Sequence, residues 1–200
     1  MRIAVINEVS SRDKNGKILD AIQGFGHEVY SVGMSADGDE PELTYIHTGL
    51  MAGVALNSGA ADFVVGGCGT GQGFLISAMQ YPNVFCGLIT EPLDAWLFSQ
   101  INGGNCVSLA LNKGFGWAAD INLKYIFEKL FVDEMGRGYP AHRSESQKES
   151  RKLLKTVSAI THTDFSEILK GIDGSLTERI FSHKPFKEFI DNYAKIKFVY

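Results

Sequence analysis

The sequence is poor in cysteine and proline. Its three cysteines, Cys68, Cys86 and Cys106, stand at wide spacings among 200 residues, and no CxxC pair occurs. That pattern excludes a disulfide framework and a zinc knuckle; free thiols and a reducing, cytoplasmic setting are expected, with no metal. Five prolines against 22 glycines disfavour an all-β sandwich and favour helices joined by glycine-lined turns. There is no basic excess: 19 Lys and Arg face 23 Asp and Glu, a net charge of −4. A dedicated nucleic-acid binder needs a basic face, so that class is set aside. No apolar run approaches the roughly 18 residues of a membrane span, and the opening MRIAVINE is too short for a signal peptide. What remains is ordinary globular chemistry, 44% apolar and 21% charged, on a chain long enough to bury a core unaided.

Charge and glycine both divide the chain. Residues 141–200 hold 11 Lys/Arg and 8 Asp/Glu, net +3, which leaves 8 and 15, net −7, for residues 1–140. Only Gly171 and Gly174 lie beyond residue 140. The pattern predicts an α/β domain over 1–143 and a helical C-terminal extension over 144–200. In the first part, apolar runs at Ile3–Ile6, Glu28–Val32, Phe63–Val65, Phe85–Ile89 and Cys106–Ala110 read as strands. Helical periodicity separates them at 14–25, 43–57, 74–80 and 93–101, and a helix follows over 116–133. Strands joined by crossovers of that length pair in parallel, which predicts a three-layer α/β/α, Rossmann-like fold around a five-stranded parallel sheet. In the extension, segments near 145–160, 164–170, 176–181 and 185–194 read as helices with His183 facing solvent, and Trp117 is expected to pack into the core from an apolar face of the 116–133 helix.

In such folds ligands bind beyond the carboxyl ends of the strands. The segment Gly66-Gly67-Cys68-Gly69-Thr70-Gly71-Gln72-Gly73 occupies such a position. Its five glycines let backbone amides approach an anion, and a helix N-terminus follows. It is no Walker A loop, because Gln72-Gly73-Phe74 stands where Gly-Lys-Ser/Thr is needed. The dinucleotide fingerprint G-x-G-x-x-G fails as well, since the sixth residue is Gln72 or Phe74. What distinguishes the loop is a thiol and a hydroxyl two residues apart. Cys68 is placed to act as nucleophile or general base, and the amides of Gly69, Gly71 and Gly73 to approach an anion.

The run Cys68-Gly69-Thr70-Gly71-x-Gly73 resembles the signature of the type B ribose-5-phosphate isomerases and the related galactose-6-phosphate isomerase subunits. The likeness extends over about residues 1–143, through Gly26-His27-Glu28-Val29, Gly59-Ala60-Ala61-Asp62 and Thr90-Glu91-Pro92. It implies a cofactor-free aldose–ketose isomerase for a sugar phosphate, with Cys68 abstracting the C2 proton to give a cis-enediolate and Thr70 and the loop amides meeting the oxyanion. Tyr45, Asn102 and Asn105 fall on family positions. A dimer that completes the active site across subunits is implied, so a homodimer or homotetramer is expected and a hetero-oligomer is open. Four departures stand out. The family Asp-His after the first strand reads Glu8-Val9, its ring-opening histidine reads Ile101, its Asp-Tyr-Pro reads Thr44-Tyr45-Ile46, and its R-H-x-x-R phosphate clamp is not reproduced. Among six arginines, Arg137 and Arg143 lie nearest that clamp, with Arg12 and Lys113 in reserve. Loss of both family histidines leaves open a non-catalytic subunit or a phosphosugar-binding module. It also suggests an open-chain substrate such as a tetrulose 4-phosphate, which cannot close a five-membered ring through its phosphorylated O4.

Overall fold

The central strands are apolar on both faces and are therefore buried on both. In a computed structural model that describes residues 1–199, β1 (Arg2–Asn7), β3 (Phe63–Cys68) and β5 (Cys106–Ala110) are flanked by shorter strands β2 (Glu28–Ser31) and β4 (Cys86–Ile89). All pair in parallel in the order β2-β1-β3-β5-β4. The alternation of side chains assigns each residue to one layer. Ala4, Ile6 and Val64 join one core with α2 (Tyr45–Asn57) and α3 (Gln72–Ala78). Ile3, Val5, Phe63 and Val65 join the other with α1 (Asn15–Ile22), α4 (Pro92–Leu97) and α5 (Ala119–Phe131). The chain thus forms the α/β/α sandwich that its periodicity predicts.

The extension folds as four helices, α6 (Ser144–Thr161), α7 (Phe165–Gly171), α8 (Gly174–Ser182) and α9 (Lys184–Tyr193). Phe165, Leu169, Ile180, Phe186 and Phe189 enter the same core as α2 and β1. This explains why α2 is buried continuously from Thr48 to Ala55: it lies between α3 and the tail. Helix α6 is the exception, with Ser158 its one buried residue and Leu153, Leu154, Val157 and Ile160 exposed.

Three expectations need correction. Strand β3 does not stop at Val65 but continues through Gly66 and Gly67, which pair with both β1 and β5, to Cys68, which pairs with β5. The glycines are required there by packing, since a Cβ on Gly66 would land in the Phe74 ring and one on Gly67 would sit 2.5 Å from the Leu109 carbonyl oxygen. Trp117, expected on a buried helix face, lies before α5 and is fully exposed. His183, expected in solvent, is buried beneath the turn after β2, its Nε2 3.2 Å from the Gly33 carbonyl oxygen.

Candidate active site

The strand order reverses at β1 and β3, because β2 lies to one side of β1 and β3 to the other. Their carboxyl ends therefore border a crevice. Glu8 is the residue after β1 and Cys68 the last residue of β3, with Asn7 opposite Gly67 in the ladder. Both side chains are almost buried, Glu8 at 4% exposure and Cys68 at 6%. The Cys68 Sγ lies 4.0 Å from the Thr70 Oγ1. The sequence therefore brings an acid, a thiol and a hydroxyl together at one switch point. Of the other two thiols, Cys106 is fully buried in β5, and burial pushes it well above its ordinary range; it is out of reach of chemistry.

The loop after Cys68 is held from three strand ends. Ser10 donates its hydroxyl hydrogen to Glu8 Oε1 and accepts the Gly69 N–H at 3.1 Å. Asn112, just past β5, donates its side-chain amide to the Ser10 carbonyl at 2.8 Å. The Gly69 carbonyl accepts the Asn112 and Lys113 amides, each at 2.9 Å. The Gly71 amide turns back to the Cys68 carbonyl at 3.3 Å, and the Gln72 amide bonds Thr70 Oγ1 at 3.3 Å. Three of the loop's amides thus hold the loop's own shape rather than forming an open anion cradle.

Two of the glycines have a further physical reason. Gly71 has φ +77°, where a side chain is strained, and its Cβ would lie 2.5 Å from Leu88 Cδ1. A Cβ on Gly73 would lie 2.9 Å from Tyr45 Cγ. Tyr45 opens α2 and lays its ring over the loop, as its place in the family pattern implies. His47, two residues on, accepts the Thr44 N–H at 3.0 Å as part of a capping box. Burial and then the nearby Arg179 charge hold its imidazole below its ordinary pKa.

The remaining candidates are elsewhere in the chain. Asn102 ends a π-helical turn, Phe98–Asn102, that precedes β5. Five residues of β5 at about 3.3 Å each separate that turn from the level of Cys68, roughly 15 Å along the strand. Arg137 and Arg143 follow α5 on this far side. The Gly136 and Gly138 amides bond the Ser99 and Gln100 carbonyls at 2.7 and 2.8 Å. Arg137 is exposed and pairs with Asp133 at 3.0 Å; Arg143 bonds Ser146 at 3.2 Å. Arg151, which the sequence reading did not single out, ties the region together by donating to the carbonyls of Ile101 at 2.9 Å and Gly136 at 2.6 Å. A groove of about 460 Å³ runs alongside, lined by Ile101, Asn102, Arg151 and Leu154 among others. One chain therefore brings Glu8, Cys68, Thr70 and Tyr45 together and leaves Asn102, Arg137 and Arg143 apart. Asn105 is structural, bridging the Phe85 amide and the Asn83 carbonyl.

Ser10 and Asn112 were not legible as site residues, because their roles come from the meeting of β1, β3 and β5 rather than from spacing. Among the described residues no group of three or more His, Cys, Asp or Glu is placed to hold a metal, and no helix is long and apolar enough to cross a membrane.

Comparison with known proteins fits this geometry. A crystal structure described as a 4-deoxy-L-threo-5-hexosulose-uronate ketol-isomerase complexed with a tartrate is 42% identical. The match covers 98% of this chain and 94% of that one, with a TM-score of 0.95. A ribose-5-phosphate isomerase from Vibrio parahaemolyticus is 44% identical over the same shares, with a TM-score of 0.94. The type B ribose 5-phosphate isomerase of Leishmania infantum, 17% identical over 80% of this chain and 98% of that one, shares the fold at a TM-score of 0.64. No curated protein matches. The profile of the Ribose/Galactose Isomerase family matches residues 3–135, a span that takes in the β1/β3 crevice, the Cys68 loop and the Ile101 turn; the chain belongs to that family.

Proposed function

We propose that the protein is an aldose–ketose isomerase that acts through a cis-enediolate on an open-chain substrate with an anionic end, using Cys68 as general base. The observation that carries this reading is the convergence of Cys68 and Glu8 on the β1/β3 crevice. Cys68 takes the proton from C2, the C–H pair becomes the C1–C2 double bond, and the carbonyl pair moves to O1. Glu8 carries the hydroxyl proton from O2 to O1, and Cys68 returns its proton to C1. One hydrogen has moved between carbons and one between oxygens, so the reaction is redox-neutral and needs no cofactor. Thr70 donates to the oxygen on which charge develops, where a fixed donor helps most.

Isoleucine at position 101 argues for an open chain, because it cannot transfer the proton that ring opening requires. A sugar phosphate of this kind is a tetrulose 4-phosphate. A second reading has its own support in the 42% identical ketol-isomerase. A 4-deoxy-5-ketouronate has no O4 hydroxyl and a carbonyl at C5, so neither oxygen closes a ring, and its charge is a carboxylate. Both substrates are open-chain anions; they differ in the group that Arg137 and Arg143 would meet.

Those arginines and Asn102 serve the site only if a second copy supplies them. The exposed Leu153, Leu154, Val157 and Ile160 lie along one side of α6, where Leu154 lines a groove with Met79, and such an apolar face suits a second copy. The test is a panel of tetrose 4-phosphates, ribose 5-phosphate, galactose 6-phosphate and the deoxyketouronate, with Cys68→Ala as control. Turnover of an open-chain member that the control loses supports the proposal. Lack of turnover on every member, with Cys68 alkylation slowed by none of them, favours a non-catalytic subunit.

A further inference from the structure

Ser10 is exposed, lies outside the glycine-rich loop and has no part in the chemistry just described, yet its hydroxyl links Glu8 to that loop. Its bonding has a fixed sense. The Gly69 N–H can only donate, so at 3.1 Å the Ser10 oxygen accepts. The Ser10 proton is thereby left for Glu8 Oε1, which as a carboxylate oxygen can only accept. The serine backbone is itself held, since Asn112 donates to its carbonyl at 2.8 Å. Asn112 in turn gives its own amide to the Gly69 carbonyl at 2.9 Å. The residue before Gly69 is Cys68. A closed circuit therefore runs from Glu8 through Ser10 to Gly69, and from Gly69 through Asn112 back to Ser10.

We infer that Ser10 is a positioning residue. It holds the Glu8 carboxylate and the Cys68–Gly69 peptide in one fixed relation, so that a proton donor and acceptor for the substrate oxygens face the thiol that works on the adjacent carbon. The inference rests on the reading that Glu8 takes part in the reaction. A carboxylate on a two-carbon stem has more rotamers than the reaction can use, and a single directed hydrogen bond to one oxygen selects among them. The same bond makes Gly69 a sensor of Glu8, because the amide and the carboxylate share one hydroxyl.

The test combines kinetics with a spectroscopic readout that needs no substrate. Ser10→Ala should lower kcat by about ten-fold, the scale of one lost charge-assisted hydrogen bond, with KM within about two-fold. Ser10→Thr, which keeps the hydroxyl, should restore most of the rate. In a Glu8→Gln background Ser10→Ala should add little, since the two act through one bond. The Gly69 amide resonance should move on Glu8→Gln when Ser10 is present and stay in place when it is alanine. An equal rate loss from Ser10→Ala in both backgrounds, or a Gly69 resonance that answers Glu8→Gln without Ser10, overturns the inference. Full activity of Glu8→Gln with the Gly69 response intact would instead remove Glu8 from the mechanism and leave the Ser10 link standing.

Discussion

The two groups of candidate residues are built differently. At the carboxyl ends of β1 and β3, Glu8 and Cys68 are nearly buried, Thr70 is exposed beside them, and Ser10 and Asn112 bind the loop to all three strands. On the far side, Asn102, Arg137 and Arg143 are exposed. Their region is held by backbone carbonyls and Arg151, while Arg137 rests on Asp133 and Arg143 on Ser146. An exposed ion pair like Arg137–Asp133 contributes little to stability, and Arg143 has only a neutral hydroxyl partner here, so both arginines can change partner at small cost. One region is thus fixed within a single chain, as the proton transfer proposed for it requires. The other keeps its charges exposed, and in the proposed function they meet the anionic end of a substrate held at another chain's Cys68.

The largest expected effect lies in the first region. Cys68→Ala should lower kcat by at least about 10²-fold, the usual worth of a general base, with thermal unfolding unchanged. A steady-state assay beside a melting curve checks both, and a wild-type rate would send the search for the base to Glu8. Changes in the second region should act on binding. Arg137→Ala and Arg143→Ala should each raise KM for an anionic substrate by roughly ten-fold or more, given about 1.5–3 kcal/mol for a charge-assisted contact. The alkylation rate of Cys68 should not change. If KM is unchanged in both variants, the far region has no share in the site.

A smaller effect is expected at Thr70. Thr70→Val should lower kcat about five- to ten-fold and leave KM nearly constant, because the hydroxyl meets charge that exists mainly in the transition state. A marked fall in melting temperature would instead assign Thr70 to holding the Gln72 amide.

The smallest concerns pH. His47 is held below its ordinary pKa by burial and by Arg179, and His27 is lowered by burial. As pH falls below about 6.5, the ordinary histidine value, the unfolded chain binds protons that the folded chain refuses, so stability declines. His47→Gln keeps a capping side chain at that helix position and should flatten the fall in melting temperature between pH 7.5 and 5.5. His27 should preserve part of the slope.

Much of the fold was legible because alternation and helical period act locally. Cys106–Ala110 was read to the residue, and the tail helices within two residues at every end. Gly66 and Gly67 misled because glycine reads as a loop, whereas here it makes room for Phe74 and for the Leu109 carbonyl inside a strand. Cys68, Thr70 and Tyr45 were legible from the signature, and the structure brings them to one crevice. Ser10 and Asn112 were not, because a serine two residues past a strand and an asparagine after another acquire meaning only when the strands lie side by side.

In the function proposed, these two regions are halves of one site contributed by two copies of the chain. That arrangement is tested most directly by mixing Cys68→Ala with the double variant Arg137→Ala/Arg143→Ala under conditions where subunits exchange. Each variant alone should be nearly inactive. In a dimer of the two, one site carries every change and the other none, so the mixture should recover about a quarter of wild-type activity, as random pairing of two subunits gives. No recovery, with the mixed dimer seen by native mass spectrometry, would contradict the account.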